Sequence, residues 1–391
     1  MMRADPSSAS AVLEAVTAVV PTLRENGREA EDRRWIPEEN IDLLDKAGVF
    51  RMAVPSRYGG LDLPLADQVA VLEEISRGCG STGWTAAAWV STAWMAGLYP
   101  QKAQEEVLGK GAVRVSGGFT PSGSLTPTEG GYLLNGSWRF NTGCRAADWD
   151  MLAALREHPD GSVDLVYALV PMTELQIADD WHVSAAIGTG SSTTTAKDVF
   201  VPAHRVADGE AAVEGTLLDH VGNAGRRYGL MGFVLAEGAA VYIGMAQAAY
   251  ELFVERLPGK AIAYTNWEEQ SRHPVTQIGV ATAENKIVAA RALNAQVIDL
   301  LQRLADTGAH LTVQERATIH GRCGYAIQLV KEAVETLHAM SGASALSRGA
   351  HFQRFYRDLE GLSLHGMMTP VSNLEVHGRV LLGLDPDSPV L

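Results

Sequence analysis

Residues 130–149 read GGYLLNGSWRFNTGCRAADW and differ from the preceding chain in composition and residue pattern. Two short apolar and aromatic runs, GGYLL and SWRF, stand on either side of Asn135-Gly136. Asn-Gly accepts the positive φ angles of a type I′ turn, so this dipeptide between two such runs predicts a β-hairpin.

The residues around this hairpin are rich in Gly and Thr and contain further short β-type runs. Strands are expected at 149–155, 162–170 and 196–201, with Pro202 ending the last of them. These runs follow one another at hairpin spacing. We therefore predict a central antiparallel β domain over residues 112–205.

Helical periodicity dominates the chain before this β domain. Pro37 and the two glutamates after it suit the first turn of a helix, and Gly48 suits its C-terminal end. Two further helices are expected at about 65–77 and 82–99, and the second is apolar on nearly all sides, which predicts burial. We assign residues 1–111 to an N-terminal helical domain.

Helical periodicity returns at about residue 225 and continues in three long amphipathic segments. The third begins with Thr312 and Glu315 at the spacing of a capping box. Three such helices in succession favour an antiparallel bundle. We predict a C-terminal four-helix-bundle domain over 206–391, a linker at 204–224, and an α+β fold overall.

The composition excludes several classes of protein. The 391 residues include 32 basic and 46 acidic side chains, so the formal net charge is −14, and a surface this acidic repels nucleic acid. Cys79, Cys144 and Cys323 are far apart, which excludes a disulfide scaffold and suits a reducing compartment. No apolar stretch approaches the ~18 residues of a membrane span, and no signal peptide is visible. A cytoplasmic protein with no membrane partner is expected.

Motifs for common cofactors and metals are not found. Gly188-Thr189-Gly190 resembles the start of a dinucleotide fingerprint, but Thr193 stands where the third glycine is needed. The chain has no P-loop, no HExxH and no GxSxG motif, and its histidines lack metal-ligand spacing. We expect no metal and no NAD(P)H site in this chain.

Four segments resemble, in the same order, segments of the acyl-CoA dehydrogenase fold. They are PSRYGGLDLP (55–64), the hairpin at 130–149, IGTGSSTTTAKDVFVP (187–202) and FYRDLEGLSLH (355–365). The resemblance implies the helical, β and helical-bundle order that the periodicity predicts. It also implies a flavin cofactor and a homotetramer assembled through the C-terminal bundle.

Three residues at the end of the hairpin are candidates for contact with a flavin. Alternate residues of a strand share a face, so Trp138, Phe140 and Thr142 are expected to point the same way. A flavin ring needs an aromatic wall and a polar contact at its N5 atom. The resemblance implies that Thr142 forms the hydrogen bond to flavin N5.

Two other segments supply cofactor candidates by resemblance. The segment SGGFTPSG (116–123) takes the place of one that contacts the flavin, so Phe119 and Thr120 are candidates. The dehydrogenase form of this segment carries a glutamate that Thr120-Pro121 lacks. Arg272 resembles an arginine that reaches a flavin phosphate across a subunit boundary.

The residues after the R-D pair at 357–358 separate two activities. Acyl-CoA dehydrogenases commonly place a catalytic glutamate nine residues after the arginine, and counting from Arg357 gives Gly366. Glu237 lies three residues from a second position that some dehydrogenases use, so a dehydrogenase-type FAD enzyme stays open as the alternative. His365 instead resembles the histidine of group D flavin-dependent monooxygenases, the two-component type to which p-hydroxyphenylacetate hydroxylase belongs.

The monooxygenase resemblance implies a complete reaction. A separate NAD(P)H:flavin reductase would supply reduced flavin, FADH2 or FMNH2, which reacts with O2 to a C4a-hydroperoxyflavin that hydroxylates the substrate. A phenol or indole attacks oxygen faster when partly deprotonated, and His365, with an ordinary pKa of ~6.5, suits the base. The expected substrate is a phenolic or indolic small molecule of natural-product biosynthesis or aromatic catabolism.

Substrate contacts are expected on the helix at 82–99. Trp84, Ala88 and Ser91 fall at i, i+4 and i+7 on one face, and aromatic and small side chains suit a flat substrate. Met367 and Met368, beside His365, would add an adaptable lining.

Overall fold

The structure, a computed structural model, describes residues 8–214, 217, 228–388 and 391. The helices before the sheet are α1 (Ala9–Arg33), α2 (Glu38–Lys46), α3 (Leu65–Gly78), α4 (Gly80–Ala96) and α5 (Gln101–Leu108). Helices α3 and α4 confirm the two predicted at about 65–77 and 82–99. Gly48 follows α2 with a φ of 81°, the left-handed geometry expected where a helix ends at glycine.

A seven-stranded sheet follows these helices, in the order β5-β6-β2-β1-β3-β4-β7. Its strands are β1 (Val115–Thr128), β2 (Gly131–Trp138), β3 (Trp149–Glu157), β4 (Val163–Pro171), β5 (Gln176–Ile177), β6 (Thr194–Pro202) and β7 (Val206–Asp208). Strands β1 and β3 pair in parallel, and the other neighbouring pairs are antiparallel. The sheet is mixed rather than purely antiparallel, because β2 reverses the chain once and the 139–148 connection reverses it again.

The predicted hairpin about Asn135-Gly136 does not form, because strand β2 runs straight through this dipeptide, and the hairpin of this region pairs β1 with β2 instead. The chain turns at Glu129-Gly130, where Gly130 has a φ of 77°, and Asn135 lies inside β2. The Asn135 amide exchanges two hydrogen bonds with Asp198 of β6, whose φ is 50°. Asn135 therefore holds a bulge in the neighbouring strand, a tertiary partner that overrides its local preference for a turn.

The described helices after the sheet are α6 (Gly209–Glu214), α7 (Leu230–Glu255), α8 (Pro274–Thr307), α9 (Val313–Ala339), α10 (His351–Leu362) and α11 (Pro370–Leu381). Helices α7, α8 and α9 are the three long segments that the periodicity predicts. The predicted linker at 204–224 contains β7 and α6, and its residues 215–216 and 218–224 lie outside the described residues. The domain divisions at 111/112 and 205/206 remain predictions.

Helix α4 is buried along almost its whole length and packs between β1 and α7. It runs antiparallel to α7: Trp84 meets Tyr242, with ring centroids 6.1 Å apart, and Trp94 stacks on Phe233 at 4.2 Å. A Cβ on Gly80 would lie 2.5 Å from the Met245 sulfur, so glycine permits the close approach of the two helices. This packing places one face of α4 against the C-terminal helices.

Helix α7 is long and apolar enough to cross a membrane, but 89% of its apolar window is buried inside the fold. An apolar helix with this degree of burial is the core helix of a folded domain. Cys79, Cys144 and Cys323 are all buried and free.

Candidate active site

The chain leaves the sheet directly after Trp138. Strand β2 ends there, and Phe140 has a φ of 59°, so the alternation of strand side chains does not extend to Thr142. Trp138 lies in the core of the sheet, 1% exposed, and its Nε1 donates to the Ala153 carbonyl at 2.7 Å. A ring without a free face cannot stack on a ligand. The predictions that Trp138 contacts a flavin and shares a face with Phe140 and Thr142 are therefore wrong.

Phe140 and Thr142 belong instead to a loop at the end of β2. The Phe140 side chain is 62% exposed, and the half-buried Thr142 has its hydroxyl 2.8 Å from Ser191 Oγ. We call residues 139–143, together with residues 186–192 that they contact, the sheet wall. An exposed flat ring two residues from a hydroxyl fits a planar heteroaromatic cofactor with a polar edge, as a flavin has.

Hydroxyl groups continue inward from Thr142. Ser191 Oγ is 2.8 Å from Thr142 Oγ1 and also 2.8 Å from Thr189 Oγ1, which donates to the Ala186 carbonyl at 2.9 Å. Ala186 has a φ of 50°, and its backbone N–H donates to Asp358 Oδ1 at 2.7 Å. The chain of hydroxyls therefore ends at a carbonyl group that a buried carboxyl group holds in place.

The R-D pair of helix α10 connects this wall to the rest of the site. Arg357 donates to the Ser184 carbonyl at 2.8 Å, and Asp358 accepts from Ala186 and, at 3.3 Å, from the Ser81 hydroxyl at the start of α4. Burial raises the pKa of Asp358 to about 6. Helix α10 ends at Leu362, and His365 follows three residues later. The R-D pair of α10 therefore fixes both the sheet wall and the segment that carries His365.

A second buried carboxyl group lies behind the loop of the sheet wall. Asp150 is fully buried and accepts from Asn141 Nδ2 at 2.6 Å, Ser116 Oγ at 3.0 Å and Thr194 Oγ1 at 3.2 Å. Burial raises its pKa to about 6, although the three donors oppose the rise. Because Asn141 immediately precedes Thr142, this network fixes the loop that carries Thr142.

Aromatic side chains from three elements form the opposing part of the site. Trp84 of α4 lies edge-on to His365, with ring centroids 5.3 Å apart, and edge-on to Tyr242 of α7. The Tyr242 hydroxyl donates to the Leu362 carbonyl at 2.6 Å and so fixes the end of α10. We call Trp84, Tyr242 and residues 362–368 the helix wall. The structure therefore joins two predicted residues, Trp84 and His365.

His365 is exposed, and desolvation nevertheless lowers the pKa of its imidazole. Both are true of a side chain that lines a recess, accessible on one side and surrounded by protein on the others. In the described part of the chain the imidazole forms no hydrogen bond, whereas its backbone groups bond to Leu362 and Met368. A neutral imidazole with free nitrogens can accept a proton from a bound molecule.

Ser91, two turns along α4 from Trp84, is 7% exposed and donates its hydroxyl to Glu237 Oε2 of α7. Glu237 is fully buried, and its Oε1 has no partner among the described residues. Burial raises the pKa of Glu237 to about 8, against the Ser91 bond, which lowers it. Ser91 thus has a partner inside the protein, and the neutral Glu237 has no exposed oxygen to act as a base.

The remaining predicted residues take different positions. Met367 is half-buried in the helix wall, whereas Met368 is 2% exposed and packs against Gly238, so Met367 is the more accessible of the two. Arg272, in the connection between α7 and α8, has a side chain 78% exposed and an ion pair with Glu269 at 2.7 Å. Its predicted contact with a flavin phosphate of another subunit stays a prediction.

The glycine-rich strand β1 supplies the last two candidates. Phe119 is half-buried, edge-on to Tyr167 with centroids 6.0 Å apart, and Thr120 is exposed. Residues 8–214, 217, 228–388 and 391 contain no group of three or more metal-ligating side chains.

Sequence reasoning missed several residues of the sheet wall. Thr189 and Ser191 lie in a segment that resembles the family fold, but neither was named as a site residue. Trp181, also not named, packs edge-on against Phe140 with centroids 5.9 Å apart. Asp150 gave no signal, because a lone aspartate at the start of a strand resembles any turn residue. The density of hydroxyls in GTGSSTTT (188–195) is the feature that could have pointed to this wall.

Family models match two parts of the chain. The model described as acyl-CoA dehydrogenase, N-terminal domain, matches residues 9–109, and the model described as acyl-CoA dehydrogenase, C-terminal domain, matches residues 237–370. The first includes the α4 residues of the site, and the second includes Glu237 and His365.

Individual proteins are similar over nearly the whole chain. The flavin-dependent monooxygenase, oxygenase subunit HsaA, of Rhodococcus jostii (strain RHA1) is 32% identical, over 95% of this chain and 98% of that protein. The p-hydroxyphenylacetate 3-hydroxylase, oxygenase component, of Acinetobacter baumannii is 26% identical, over 97% of this chain and 91% of that protein. The solved structure of XiaF from Streptomyces sp., in complex with FADH2 and glycerol, has a TM-score of 0.93 at 28% identity and covers 98% of both chains.

Proposed function

The chain belongs to the acyl-CoA dehydrogenase family, in the branch of flavin-dependent monooxygenase oxygenase components, and from this premise we propose that it hydroxylates a phenolic or indolic small molecule. The enzyme uses reduced flavin and O2, as its relatives do. One oxygen atom enters the substrate, and the other leaves as water with the two electrons and two protons of the reduced flavin. The net reaction converts a ring C–H into C–OH.

The sheet wall supplies the residues that would hold the flavin. Phe140 presents an exposed ring, and Thr142 presents a hydroxyl that a buried network keeps in place. The reduced flavin, when bound, supplies the electrons that activate O2. Phe140 and Thr142 would orient its ring, and Thr142 would hold a proton at its N5 atom. Phe119 and Thr120 of β1, and Arg272 of another subunit, are the further contacts that we propose.

His365 is the observation that carries the assignment. It precedes Gly366, the position of the dehydrogenase glutamate, and its neutral imidazole faces Trp84. A phenol or indole held against Trp84 would give its O–H or N–H proton to His365, which raises the electron density of the ring where oxygen is transferred. Met367 and Ala88 would border the same substrate. Ser91 and Met368 are buried and would support the residues that line the pocket.

The alternative, an acyl-CoA dehydrogenase, needs a carboxylate that reaches the substrate. Glu237 is fully buried and neutral at pH 7, and Glu360 forms a surface ion pair with Lys331 at 3.2 Å. Neither can remove an α proton from an acyl-CoA in this arrangement. The geometry of the two glutamates therefore favours the monooxygenase.

The relatives are components of larger systems, and we propose the same organisation here. A separate NAD(P)H:flavin reductase would supply the reduced flavin in the cytoplasm. A homotetramer is supported by large apolar side chains exposed on the C-terminal helices, among them Ile278 at 66%, Val371 at 75% and Leu381 at 65%. Side chains of this kind in a monomer mark surfaces that another chain covers.

The experiment that tests the function supplies the protein with anaerobically reduced FAD or FMN and then with 18O2. A panel of phenols and indoles serves as substrate, and product and H2O2 are both quantified. We expect at least one panel member to gain a single 18O atom. Bleaching of the protein's oxidised flavin by an acyl-CoA, with no 18O in any panel member, would instead assign the dehydrogenase activity.

A further inference from the structure

Three of the hydroxyls of the sheet wall form a chain that has a direction. Thr142, Ser191 and Thr189 are joined by two contacts of 2.8 Å, in each of which either oxygen can be the donor. The chain ends at the Ala186 carbonyl, 2.9 Å from Thr189 Oγ1. A carbonyl oxygen can only accept a hydrogen bond, so this end of the chain is fixed.

The fixed end determines the position of every proton in the chain. Each hydroxyl has one proton, and three bonds must be made. Thr189 gives its proton to the Ala186 carbonyl, so Ser191 must give its proton to Thr189. Thr142 must then give its proton to Ser191. In the one arrangement that satisfies all three bonds, Thr142 Oγ1 has no proton left to donate and offers only lone pairs.

The two redox states of a flavin differ at the atom that Thr142 is proposed to contact. In the oxidised ring N5 carries no hydrogen and can only accept a hydrogen bond. In the reduced ring N5 carries a hydrogen and donates one. A hydroxyl that can only accept matches the reduced ring and places two lone pairs face to face with the oxidised one.

We propose that the Thr189–Ser191–Thr142 hydroxyl chain makes this enzyme selective for reduced flavin, by fixing Thr142 as a hydrogen-bond acceptor. The inference rests on the proposed function, since it needs the flavin N5 atom at Thr142. It assigns to Thr189 and Ser191 a positioning role, because they act through Thr142. It also gives the Gly188-Thr189-Gly190 run a role other than dinucleotide binding.

Two features of the structure keep the direction of the chain from reversing. Ala186 is held in place because its backbone N–H donates to the buried Asp358 at 2.7 Å, and this fixes the position of its carbonyl. Ser191 is 4% exposed and Thr189 is 1% exposed, so solvent has little access to supply another partner. A reversed chain would take the Thr189 hydroxyl proton from the Ala186 carbonyl, which would keep the Thr189 N–H at 3.1 Å and Trp181 Nε1 at 3.4 Å, so the cost of reversal is the one lost hydroxyl bond.

The test measures dissociation constants of the full-length protein for oxidised flavin and, anaerobically, for reduced flavin. Ser191→Ala frees the Thr142 proton to donate. We expect affinity for the oxidised form to rise and affinity for the reduced form to fall, so that the selectivity ratio drops about tenfold, the worth of one hydrogen bond. Thr189→Val removes the acceptor of Ser191 and should act in the same direction.

A control variant separates the hydroxyl chain from a general loss of packing. Thr195→Val removes a hydroxyl of the neighbouring strand that pairs with Ser137 at 3.2 Å, outside the chain, and should change neither constant. Circular dichroism of each variant reports whether it is folded.

The binding constants distinguish a failure of the hydroxyl-chain inference from a failure of the proposed function. A wild-type protein that binds neither flavin would reject the function itself. A wild-type protein that prefers reduced flavin, with Ser191→Ala losing affinity for both forms equally or retaining the full preference, would overturn only the hydroxyl-chain inference.

Discussion

Two fully buried carboxyl groups stand behind the two walls of the site, and their surroundings differ. Asp150, behind the sheet wall, accepts hydrogen bonds from Ser116, Asn141 and Thr194, and its pKa is raised to about 6. Glu237, behind the helix wall, has the Ser91 hydroxyl as its one described donor, and its pKa is raised to about 8. At equal burial the donors decide the charge, so at pH 7 Asp150 is largely ionised and Glu237 largely neutral.

The same contrast extends through each wall. Hydrogen bonds hold the sheet wall at Thr142, Ser191 and Ala186, and such networks fix a single geometry. The helix wall would instead meet the proposed substrate with the Trp84 ring, the Met367 thioether and the His365 imidazole, which has no hydrogen bond to the described residues. Aromatic and methionine side chains adapt their packing to the molecule that they contact. A rigid wall suits a cofactor that is always the same, and an adaptable one suits substrates that differ between relatives.

The largest expected effect comes from His365→Ala, which removes the only titrating group of the helix wall that we place at the substrate. Product formation should fall by about 10²–10⁴-fold, the usual contribution of a general base, while H2O2 rises by the corresponding amount. The affinity for reduced flavin should not change, because the sheet wall is untouched. Product by chromatography and H2O2 by a peroxidase assay, in the same samples, measure both.

The pH dependence sharpens this test for a phenolic substrate. Raising the pH toward the pKa of the phenol should restore part of the product in His365→Ala, because the substrate then ionises without a base. Wild type should keep its activity to a lower pH than a histidine with the ordinary pKa of ~6.5 would allow, since burial lowers the pKa of His365. Equal losses of product and of flavin affinity would show that His365 has a structural role. If neither changed, the base would be another group.

A smaller effect is expected from Asn141→Ala, which takes one donor from Asp150 and makes its surroundings more like those of Glu237. The buried acceptor left without its partner should cost about 1–3 kcal/mol of the free energy of unfolding. The folded pKa of Asp150 should rise above 6 in the variant. As pH rises from 6 toward this new pKa, the variant should therefore lose further stability relative to wild type. Urea unfolding at several pH values between 5.5 and 8.5 measures both changes.

The matched control for this prediction is Asn135→Ala, in strand β2, which leads into the loop that carries Asn141. Asn135 bonds to Asp198 in an exposed position, so its substitution should cost little free energy of unfolding, and this cost should not depend on pH in this window. Equal effects of the two variants would mean that the number of donors does not set the ionisation of Asp150.

The sequence predicted those features of the molecule that depend on neighbouring residues. Periodicity located α7, α8 and α9, and the capping box at Thr312 is present, with Thr312 N–H donating to Glu315 Oε2 at 2.9 Å. His365 was named as a candidate because it precedes a recognisable position, Gly366, and its role stays a prediction. Each of these needs only residues a few places apart in the chain.

The features that sequence reasoning missed depend on distant partners. Asn135 holds a bulge at Asp198, 63 residues away, instead of forming a turn. Thr142 meets Ser191 across 49 residues, and Phe140 leaves the strand through a positive φ that no local pattern announced. Parallel pairing of β1 with β3 likewise follows from how the sheet closes, because local strand signals do not encode direction.

The smallest expected effect is that of Glu237→Gln on stability. The folded pKa of Glu237 is about 8, above its value of ~4.3 in an unfolded chain, so the folded state favours the neutral form and wild-type stability is lost as pH rises through that window. Glutamine is neutral at every pH, but its amide also lacks a second partner. The variant should therefore be the less stable protein near pH 5 and the more stable one near pH 8.5, by about 1–2 kcal/mol.

The crossing of the two stability curves is the decisive observation, because a simple packing defect lowers the curve of the variant at every pH. Glu251→Gln provides the comparison on the same helix. Glu251 is paired with Arg24 at 3.1 Å and Arg77 at 3.0 Å, so its loss should lower stability throughout this range without a crossing. If the Glu237→Gln curve stays parallel to that of wild type from pH 5 to 8.5, Glu237 is ionised in the folded protein. The contrast between the two walls would then lie in their packing and not in the charge of their buried carboxyl groups.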